Sequence, residues 1–230
     1  MCLGAEVYVT AGTVAPGAEN YYYDTSGRPQ SGFASVVGSR VDVTNHSYGT
    51  SIGDVDSAGV VGAAGIASIT RDLNSKHSFA PNAIHVVAGP NTVNCHAGNT
   101  ADRCDGASVS YINGGLTGDY LFVGAEGSTY TSVPVGDNTV PRDRWIVADG
   151  IGADGDFGTS FAAPKVTGAV ALIKHKFNTN NANTATILLE TADGMGSCSG
   201  VVKSTSRTDN RFGHGKLNVG AALSPVGTLR

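Results

Sequence analysis

The heptapeptide Gly158-Thr159-Ser160-Phe161-Ala162-Ala163-Pro164 runs directly into a stretch of mostly small and apolar residues that ends at Ile173. This pattern predicts a glycine-led turn followed by a helix, with Pro164 in the first turn, where the missing N–H of proline costs nothing. Because apolar residues occur on every side of the helix, we expect it to be buried at the centre of the fold. A helix N-terminus offers unpaired N–H groups and the positive end of the dipole. Ser160 is therefore well placed for a nucleophile whose product carries an oxyanion.

Two interpretations of Ser160 are open at this point. A serine in front of a helix commonly serves as an N-cap, whose side chain accepts a hydrogen bond from a backbone amide. The complete motif with its small-residue helix, however, resembles the nucleophile motif of the subtilisin-like serine peptidases, the subtilases. This resemblance implies a serine endopeptidase that hydrolyses peptide bonds through an acyl-enzyme on Ser160, with peptides or proteins as substrates. It also implies a three-layer α/β fold, with a mostly parallel sheet and helices on both faces.

The composition fits a globular enzyme and argues against several other classes of protein. With 230 residues, of which 40% are hydrophobic and 15% charged, the chain is long enough for one domain with a core. The net charge of −4 gives no reason to expect nucleic acid or an anionic membrane as a partner. No apolar run has the length of a membrane span, and no signal peptide is visible. The low lysine content and the abundance of Ser, Thr, Asn and Gly suit a secreted or cell-surface protein.

No cofactor and no metal site is predicted. A zinc site at His96 would need further ligands at regular spacing, and the sequence does not supply them. The segment from Asp149 to Asp156 is superficially similar to a calcium loop, but it lacks the closing glutamate of an EF-hand, and we interpret it as a solvated turn. Cys95 and Cys104 flank a short polar loop and could close it as a disulfide in an oxidising compartment.

The elements around the central helix follow the order of the family from Thr13 to Leu223. Val41–Gly49 and Ala83–Gly89 are predicted strands, and the small-residue segment Ala58–Ile69 between them is a predicted crossover helix. Strand, helix and strand at this spacing imply a right-handed parallel βαβ unit. The remaining predicted elements are two core strands, Tyr120–Ala125 and Asp143–Gly150, a second helix, Thr184–Ala192, and a closing glycine turn with a short helix, Asn210–Leu223.

Two predicted strand ends correspond, by resemblance, to the substrate site. In subtilases a strand that ends in Asn-x-Ser-x-Gly binds the substrate along its exposed edge, and here that strand ends in Ser47, Tyr48 and Gly49. An extended peptide can join such an edge through main-chain hydrogen bonds, with alternate side chains entering pockets. Ala88 and Gly89, at the end of the next strand, would flank the backbone of the substrate on its other side.

The oxyanion donor is also assigned by resemblance. In the family the strand ends in Ala-Gly-Asn, and the asparagine amide donates a hydrogen bond to the tetrahedral oxyanion. Here the strand runs into Gly89-Pro90-Asn91, so that a proline interrupts the pattern. We assign the role to Asn91, since the donor must lie at the carboxyl end of a strand, where α/β sheets bind ligands. A literal Ala97-Gly98-Asn99 occurs later without an apolar strand before it, and Asn99 is the alternative.

The general base is not found where the resemblance would place it. Subtilases carry an aspartate motif and a His-Gly-Thr motif before a Val-Ala-Pro-Gly turn, which here is Val14–Gly17, and no histidine precedes it. Glu6 falls at the position of the histidine, without the aspartate partner that a glutamate base has in the related sedolisins. Asp56 with His96, or His46 beside the substrate edge, are further alternatives, although each is more typical of a loop or a strand end.

Two hypotheses follow for the whole chain. In the first, residues 1–230 are a single, partial subtilisin-like peptidase domain that is truncated at its N-terminus and lacks the aspartate and histidine of the triad. In the second, the chain is a catalytically inactive subtilase that serves as a peptide-binding or structural module. Without a base within hydrogen-bond reach, a serine hydroxyl is a weak nucleophile at neutral pH. The source of the base therefore separates the two hypotheses.

Overall fold

A sheet of four parallel strands forms the centre of the fold. The computed structural model describes residues 41–47, 62–89, 112, 114–126, 143–195 and 212–225. The strands lie side by side in the order in which they occur along the chain, and each pairs in parallel with the next. They are β1 (Val43–His46), β2 (Ile84–Ala88), β3 (Asp119–Glu126) and β4 (Trp145–Asp149). All carboxyl ends therefore meet at one edge of the sheet.

The three strands β2, β3 and β4 are buried along almost their whole length. Continuous apolar runs of this kind are typical of parallel strands that are covered on both faces. Because successive side chains point to opposite faces, each strand contributes to two separate cores. In β4, for example, Trp145 and Val147 belong to one core, and Ile146 and Ala148 belong to the other.

Helices cover both faces of the sheet. One core contains Ile69 and Leu73 of the first helix, which pack on the same side as Trp145. The other contains Val166 and Val170 of the second helix, which contacts all four strands. The predicted three-layer, mostly parallel α/β fold is confirmed. Of the helices that the structure describes, none is long and apolar enough to cross a membrane. The helices are α1 (Ala63–Phe79), α2 (Thr159–Phe177), α3 (Asn181–Glu190) and α4 (Val219–Ala222).

The crossover helix α1 differs from its prediction at both ends. It begins after the N-cap Gly62 and continues to Phe79, whereas the sequence pattern predicted Ala58–Ile69. Its buried residues are Gly65, Ile69 and Leu73, which are spaced four apart and form one stripe against the sheet. The predicted end was too early because the residues after Ile69 are mostly polar, and Leu73 is the one residue among positions 70–79 that is buried.

The proline of helix α2 lies one turn later than predicted. Pro164 is the sixth residue of the helix and is buried, so it belongs to the second turn. Because proline has no N–H, the carbonyl of Ser160 cannot receive the usual i+4 hydrogen bond at this point. The helix nevertheless continues to Phe177 and ends at Asn178, which has the left-handed φ of 50°.

The closing segment adds a short extension to the sheet beyond β4. The amide of Val147 donates to the carbonyl of Gly215 at 2.8 Å, and the amide of Leu217 donates to the carbonyl of Val147 at 2.7 Å. Gly213 has a φ of 56°, and a Cβ at this position would collide with the backbone of Trp145. This close approach requires a glycine. The predicted glycine turn and final short helix are confirmed for residues 212–223.

Candidate active site

Ser160 is the second residue of helix α2, at the carboxyl edge of the sheet. The N-cap of this helix is Gly158, which provides no side-chain hydrogen bond to the first turn. Ser160 is therefore not the N-cap, and its hydroxyl makes a different contact. The first amides of a helix have no partners within the helix, so this N-terminus can stabilise a negative charge that develops beside Ser160.

The Ser160 hydroxyl meets the end of strand β1. Its Oγ donates a hydrogen bond to the carbonyl oxygen of Ser47 over 3.3 Å. The side chain of Ser160 is partly exposed, whereas Ser47, which directly follows β1, is buried. The structure thus places the residue predicted as nucleophile beside the first residue of the predicted substrate edge, 113 positions earlier in the chain.

Thr159 connects the same helix to the end of strand β2. Its Oγ1 donates a hydrogen bond of 2.6 Å to the carbonyl of Gly89, and the contact is buried. The amide of Gly89 donates to the carbonyl of Val123 at 2.8 Å. A Cβ on Gly89 would lie only 2.5 Å from the ring of Trp145, so packing also fixes this residue. Gly89 is buried and Ala88 is partly exposed, so of these two predicted substrate-binding residues only Ala88 is accessible.

Several predicted site residues lie outside the described residues. They comprise the proposed oxyanion donor with its alternative, two residues of the substrate edge, the alternative bases other than His46, and the two cysteines of the polar loop. They are Asn91, Asn99, Tyr48, Gly49, Glu6, Asp56, His96, Cys95 and Cys104. Their roles stay predictions from the sequence.

His46 lies on the face of the sheet that α1 covers, opposite to helix α2. Its Nε2 is 2.9 Å from the Oγ1 of Thr44 and 3.4 Å from the Nδ1 of His85. Burial, together with the charge of a protonated His85, lowers the pKa of His46 well below its ordinary value. Because side chains alternate along a strand, the imidazole of His46 points away from Ser160 although Ser47 is the next residue. The structure therefore does not bring this alternative base to the nucleophile.

His85 is the centre of a buried group of rings on the same face. Its Nδ1 is 2.8 Å from the Oγ1 of Thr44, and its ring stacks on Tyr120 at a centroid distance of 5.1 Å. His77 approaches the ring edge-on, at 5.7 Å. Burial, followed by the charge of His77, lowers the pKa of His85 to about 4. His85 is therefore neutral at physiological pH and belongs to the core.

The segment between β4 and α2 is an exposed turn that is tied to the helix. The Nζ of Lys165 donates to Asp149 Oδ2 at 2.7 Å and to the carbonyl of Ile151 at 2.9 Å. Partial burial raises the pKa of Asp149, but the hydrogen bonds from Lys165 and from the Ile151 amide outweigh it, and the net pKa is lowered. Within the described part of the chain, no group of three or more His, Cys, Asp or Glu side chains is arranged to hold a metal ion.

Two polar residues that were not among the predicted site residues connect the site. Asn45 of β1 donates from its Nδ2 to the Oγ of Ser47 at 2.8 Å, and its Oδ1 accepts from the Oγ1 of Thr167 at 3.2 Å. Asn45 is the first residue of the Asn-x-Ser-x-Gly motif. Thr167 is a polar residue in a largely apolar stretch, seven positions after Ser160. Spacing of seven places both residues on the same face of α2.

Comparisons with known proteins find a solved structure of similar fold and a matching family. Among solved structures, a lanthipeptide protease is 16% identical, with a TM-score of 0.59, over 96% of this chain and 76% of that protein. The protease domain of PatA is 20% identical with a TM-score of 0.43 over 79% of this chain, and MycP1 from Mycobacterium smegmatis is 23% identical with a TM-score of 0.39 over 68% of this chain. The chain spans 58% and 44% of the lengths of these two proteins.

At these identities the likeness to the lanthipeptide protease supports the fold. A direct comparison with curated protein sequences gives no significant match. The sequence profile of the Subtilase family, Peptidase S8, matches residues 2–215, which is nearly the whole chain. The protein belongs to the Subtilase family.

Proposed function

We propose that this subtilase domain is a serine endopeptidase in which Ser160 is the nucleophile. Its Oγ would attack the carbonyl carbon of the scissile peptide bond and form an acyl-enzyme, while the C–N bond breaks and the amine leaves with the proton of the hydroxyl. Water then hydrolyses the ester, which releases the carboxylic acid and restores the hydroxyl. The observation that carries the proposal is the hydrogen bond of 3.3 Å between the Ser160 hydroxyl and the carbonyl of Ser47. This contact puts a partly exposed hydroxyl at the start of a helix and at the end of the predicted substrate strand.

The surroundings of Ser160 support an oxyanion site. The first-turn amides of α2 offer hydrogen-bond donors, and the helix dipole favours a negative charge there. Thr159 holds the carbonyl of Gly89 at 2.6 Å, so the end of β2 lies against the start of α2. Asn91 follows two residues later, and we propose that its amide is the second oxyanion donor.

An extended substrate would lie between the ends of β1 and β2. Ser47 with the following Tyr48 and Gly49 would form one side of the cleft, and Ala88 with Gly89 the other. Because the amide of Gly89 donates to Val123 and its buried carbonyl accepts from Thr159, Gly89 would support this side of the cleft rather than bond to the substrate. Such main-chain recognition accepts many sequences, and side-chain pockets would set the preference.

The base that activates Ser160 is proposed to come from outside the described residues. Within the described part of the chain, the Ser160 hydroxyl bonds to a carbonyl oxygen and not to an imidazole. The same observation favours a second candidate function, an inactive subtilase that binds peptides between β1 and β2. A hydroxyl that only donates to a main-chain carbonyl holds the two elements together without any chemistry.

Reaction with an alkyl fluorophosphonate, followed by mass mapping of the adduct, separates the two functions. The proposed peptidase should carry one adduct on Ser160, and Ser160→Ala should carry none. Ser78→Ala is the matched control, because Ser78 is an exposed helical serine whose hydroxyl, among the described residues, bonds to its own helix at the carbonyl of Asn74. A folded chain that binds peptides but takes no adduct would support the module. Absence of both adduct and peptide binding would contradict both proposals.

A further inference from the structure

A ring of hydrogen bonds connects helix α2 to strand β1 and returns to Ser160. Thr167 Oγ1 donates to Asn45 Oδ1 at 3.2 Å, and Asn45 Nδ2 donates to Ser47 Oγ at 2.8 Å. The carbonyl of Ser47 then accepts from Ser160 Oγ at 3.3 Å. Two contacts thus join the same pair of elements, one at the first turn of α2 and one two turns later.

The ring lies among mostly apolar residues, and the ion pair of Lys174 with Asp42 joins α2 to the other end of β1. Thr167 and Ser47 are only 9% and 8% exposed, and neighbouring residues of α2 belong to the hydrophobic core. Polar groups in such surroundings need hydrogen-bond partners, and the loss of a partner is more costly than the bond is stabilising. A shift of α2 along β1 would separate the Asn45 amide from Thr167. The ring is therefore satisfied in one register of helix against strand.

The hydroxyl of Thr167 is itself held in place. It also lies 3.0 Å from the carbonyl of Ala163, one turn earlier in the helix, so its single proton is shared between two acceptors. Ser160, Ala163 and Thr167 are spaced by three and four residues and face β1 together. Movement at Thr167 would therefore be transmitted along one face of the helix to Ser160.

We propose that Asn45 and Thr167 are positioning residues that set the Ser160 hydroxyl against the substrate-binding end of β1. Neither residue would touch the reacting atoms. They would instead align an extended peptide, held along β1, with the nucleophile on α2. The inference rests on the proposed function, in which Ser160 is the nucleophile and Ser47 begins the substrate edge.

The variant Thr167→Val tests the inference, because valine keeps the shape and removes the hydroxyl. Thr167→Ser restores the hydroxyl and should rescue the effect. Thr186→Val is the matched control, since the Oγ1 of Thr186 makes the same i−4 bond, to the carbonyl of Ala182 at 2.9 Å, and links to no other element that the structure describes. Each variant of the full chain is treated with two probes, a small alkyl fluorophosphonate and a phosphonate that carries a four-residue peptide.

If Thr167 positions Ser160 against β1, its loss should slow the reaction with the peptidyl probe more than the reaction with the alkyl probe. In Thr167→Val the rate of phosphonylation by the peptidyl probe should fall about tenfold or more relative to the rate with the alkyl probe, because small misplacements have large effects on aligned reactants. Thr167→Ser and Thr186→Val should keep the wild-type ratio of the two rates. An unchanged ratio in Thr167→Val, or an equal fall with both probes, would overturn the inference and leave Thr167 a merely structural residue.

A second measurement tests the positioning without any chemistry at Ser160. If the wild-type chain reacts with neither probe, the proposed nucleophile fails, but hydrogen exchange still reports on the alignment of β1. Thr167→Val should then speed exchange of the amides around residues 45–47 relative to Thr186→Val. Equal exchange in the two variants would refute the positioning role independently of the peptidase proposal.

Discussion

The buried histidines under helix α1 predict that the protein loses stability in mild acid. The pKa of His85 is lowered from its ordinary 6.5 to about 4, mainly by burial and then by the charge of His77. Asp119 opposes this shift, and Lys76 adds to it. The pKa of His46 is lowered as well, for the same main reason. Lowering the pH should therefore destabilise the protein. The variant His85→Phe removes the contribution of His85 to this loss.

The magnitude follows from the pKa of His85. Because the folded pKa lies below the unfolded one, both states are neutral above about pH 6.5, and stability is complete there. As the pH falls from about 6.5 towards 4, His85 becomes protonated in the unfolded chain but stays neutral in the folded protein. Each pH unit then removes about 1.4 kcal/mol from the free energy of unfolding. His85 alone should account for a loss of about 2 kcal/mol at pH 5 and about 3 kcal/mol at pH 4. His46 acts in the same direction.

Urea unfolding measures this loss directly. Trp145 is the one tryptophan of the chain and is fully buried, so its fluorescence reports on the fold. Between about pH 7 and pH 5, His85→Phe should lose about 2 kcal/mol less than the wild type. His175→Asn, at an exposed position near the end of α2, is the control and should follow the wild type. A wild-type stability that is flat over this range, or an unchanged pH dependence in His85→Phe, would refute the reasoning.

Two further predictions concern the backbone around the site. Gly213 and Gly155 both have positive φ, but a Cβ on Gly213 would meet the backbone of Trp145, whereas a Cβ on Gly155 would meet open space. In thermal unfolding, Gly155→Ala should therefore lose about 1 kcal/mol of stability and Gly213→Ala roughly 2–4 kcal/mol. Equal losses of stability in the two variants would contradict the predicted collision. Thr159→Val should lower the free energy of unfolding by about 1–2 kcal/mol, because the buried carbonyl of Gly89 loses the hydrogen bond from Thr159. The same variant should slow fluorophosphonate labelling of Ser160. Thr159→Ser keeps the hydroxyl and should change neither the stability nor the labelling rate. Equal labelling rates in both Thr159 variants would show that this bond does not hold the site.

Patterns that are local in sequence predicted most of the fold. The heptapeptide at residues 158–164 predicted a turn and a buried helix with a serine at its start, because glycine, proline and small residues act within one or two helical turns. The apolar run of β2 predicted a buried strand for the same local reason, and the resemblance to the subtilases predicted β3 and β4 as core strands. The end of α1 was missed because its second half is polar except for Leu73 and the terminal Phe79, and tertiary packing rather than pattern extends the helix.

Features that depend on contacts between distant residues could not be predicted from the sequence. Asn45 and Thr167 are 122 positions apart, and no local sequence pattern predicts the hydrogen bond between them. The direction of His46 depends on the register of β1 in the sheet, since a shift of one residue would reverse every side chain of the strand. For that reason a histidine beside the substrate edge in sequence lies on the opposite face in the structure.

Protection of Ser160 by a peptide tests the central claim most directly. The rate of fluorophosphonate labelling at Ser160 is measured with and without a saturating extended peptide, and the labelled residue is identified by mass mapping. If Ser160 is a nucleophile at the end of a peptide-binding strand, the peptide should slow labelling in proportion to its occupancy. Labelling at another residue, or labelling of Ser160 that is indifferent to bound peptide, would contradict the account.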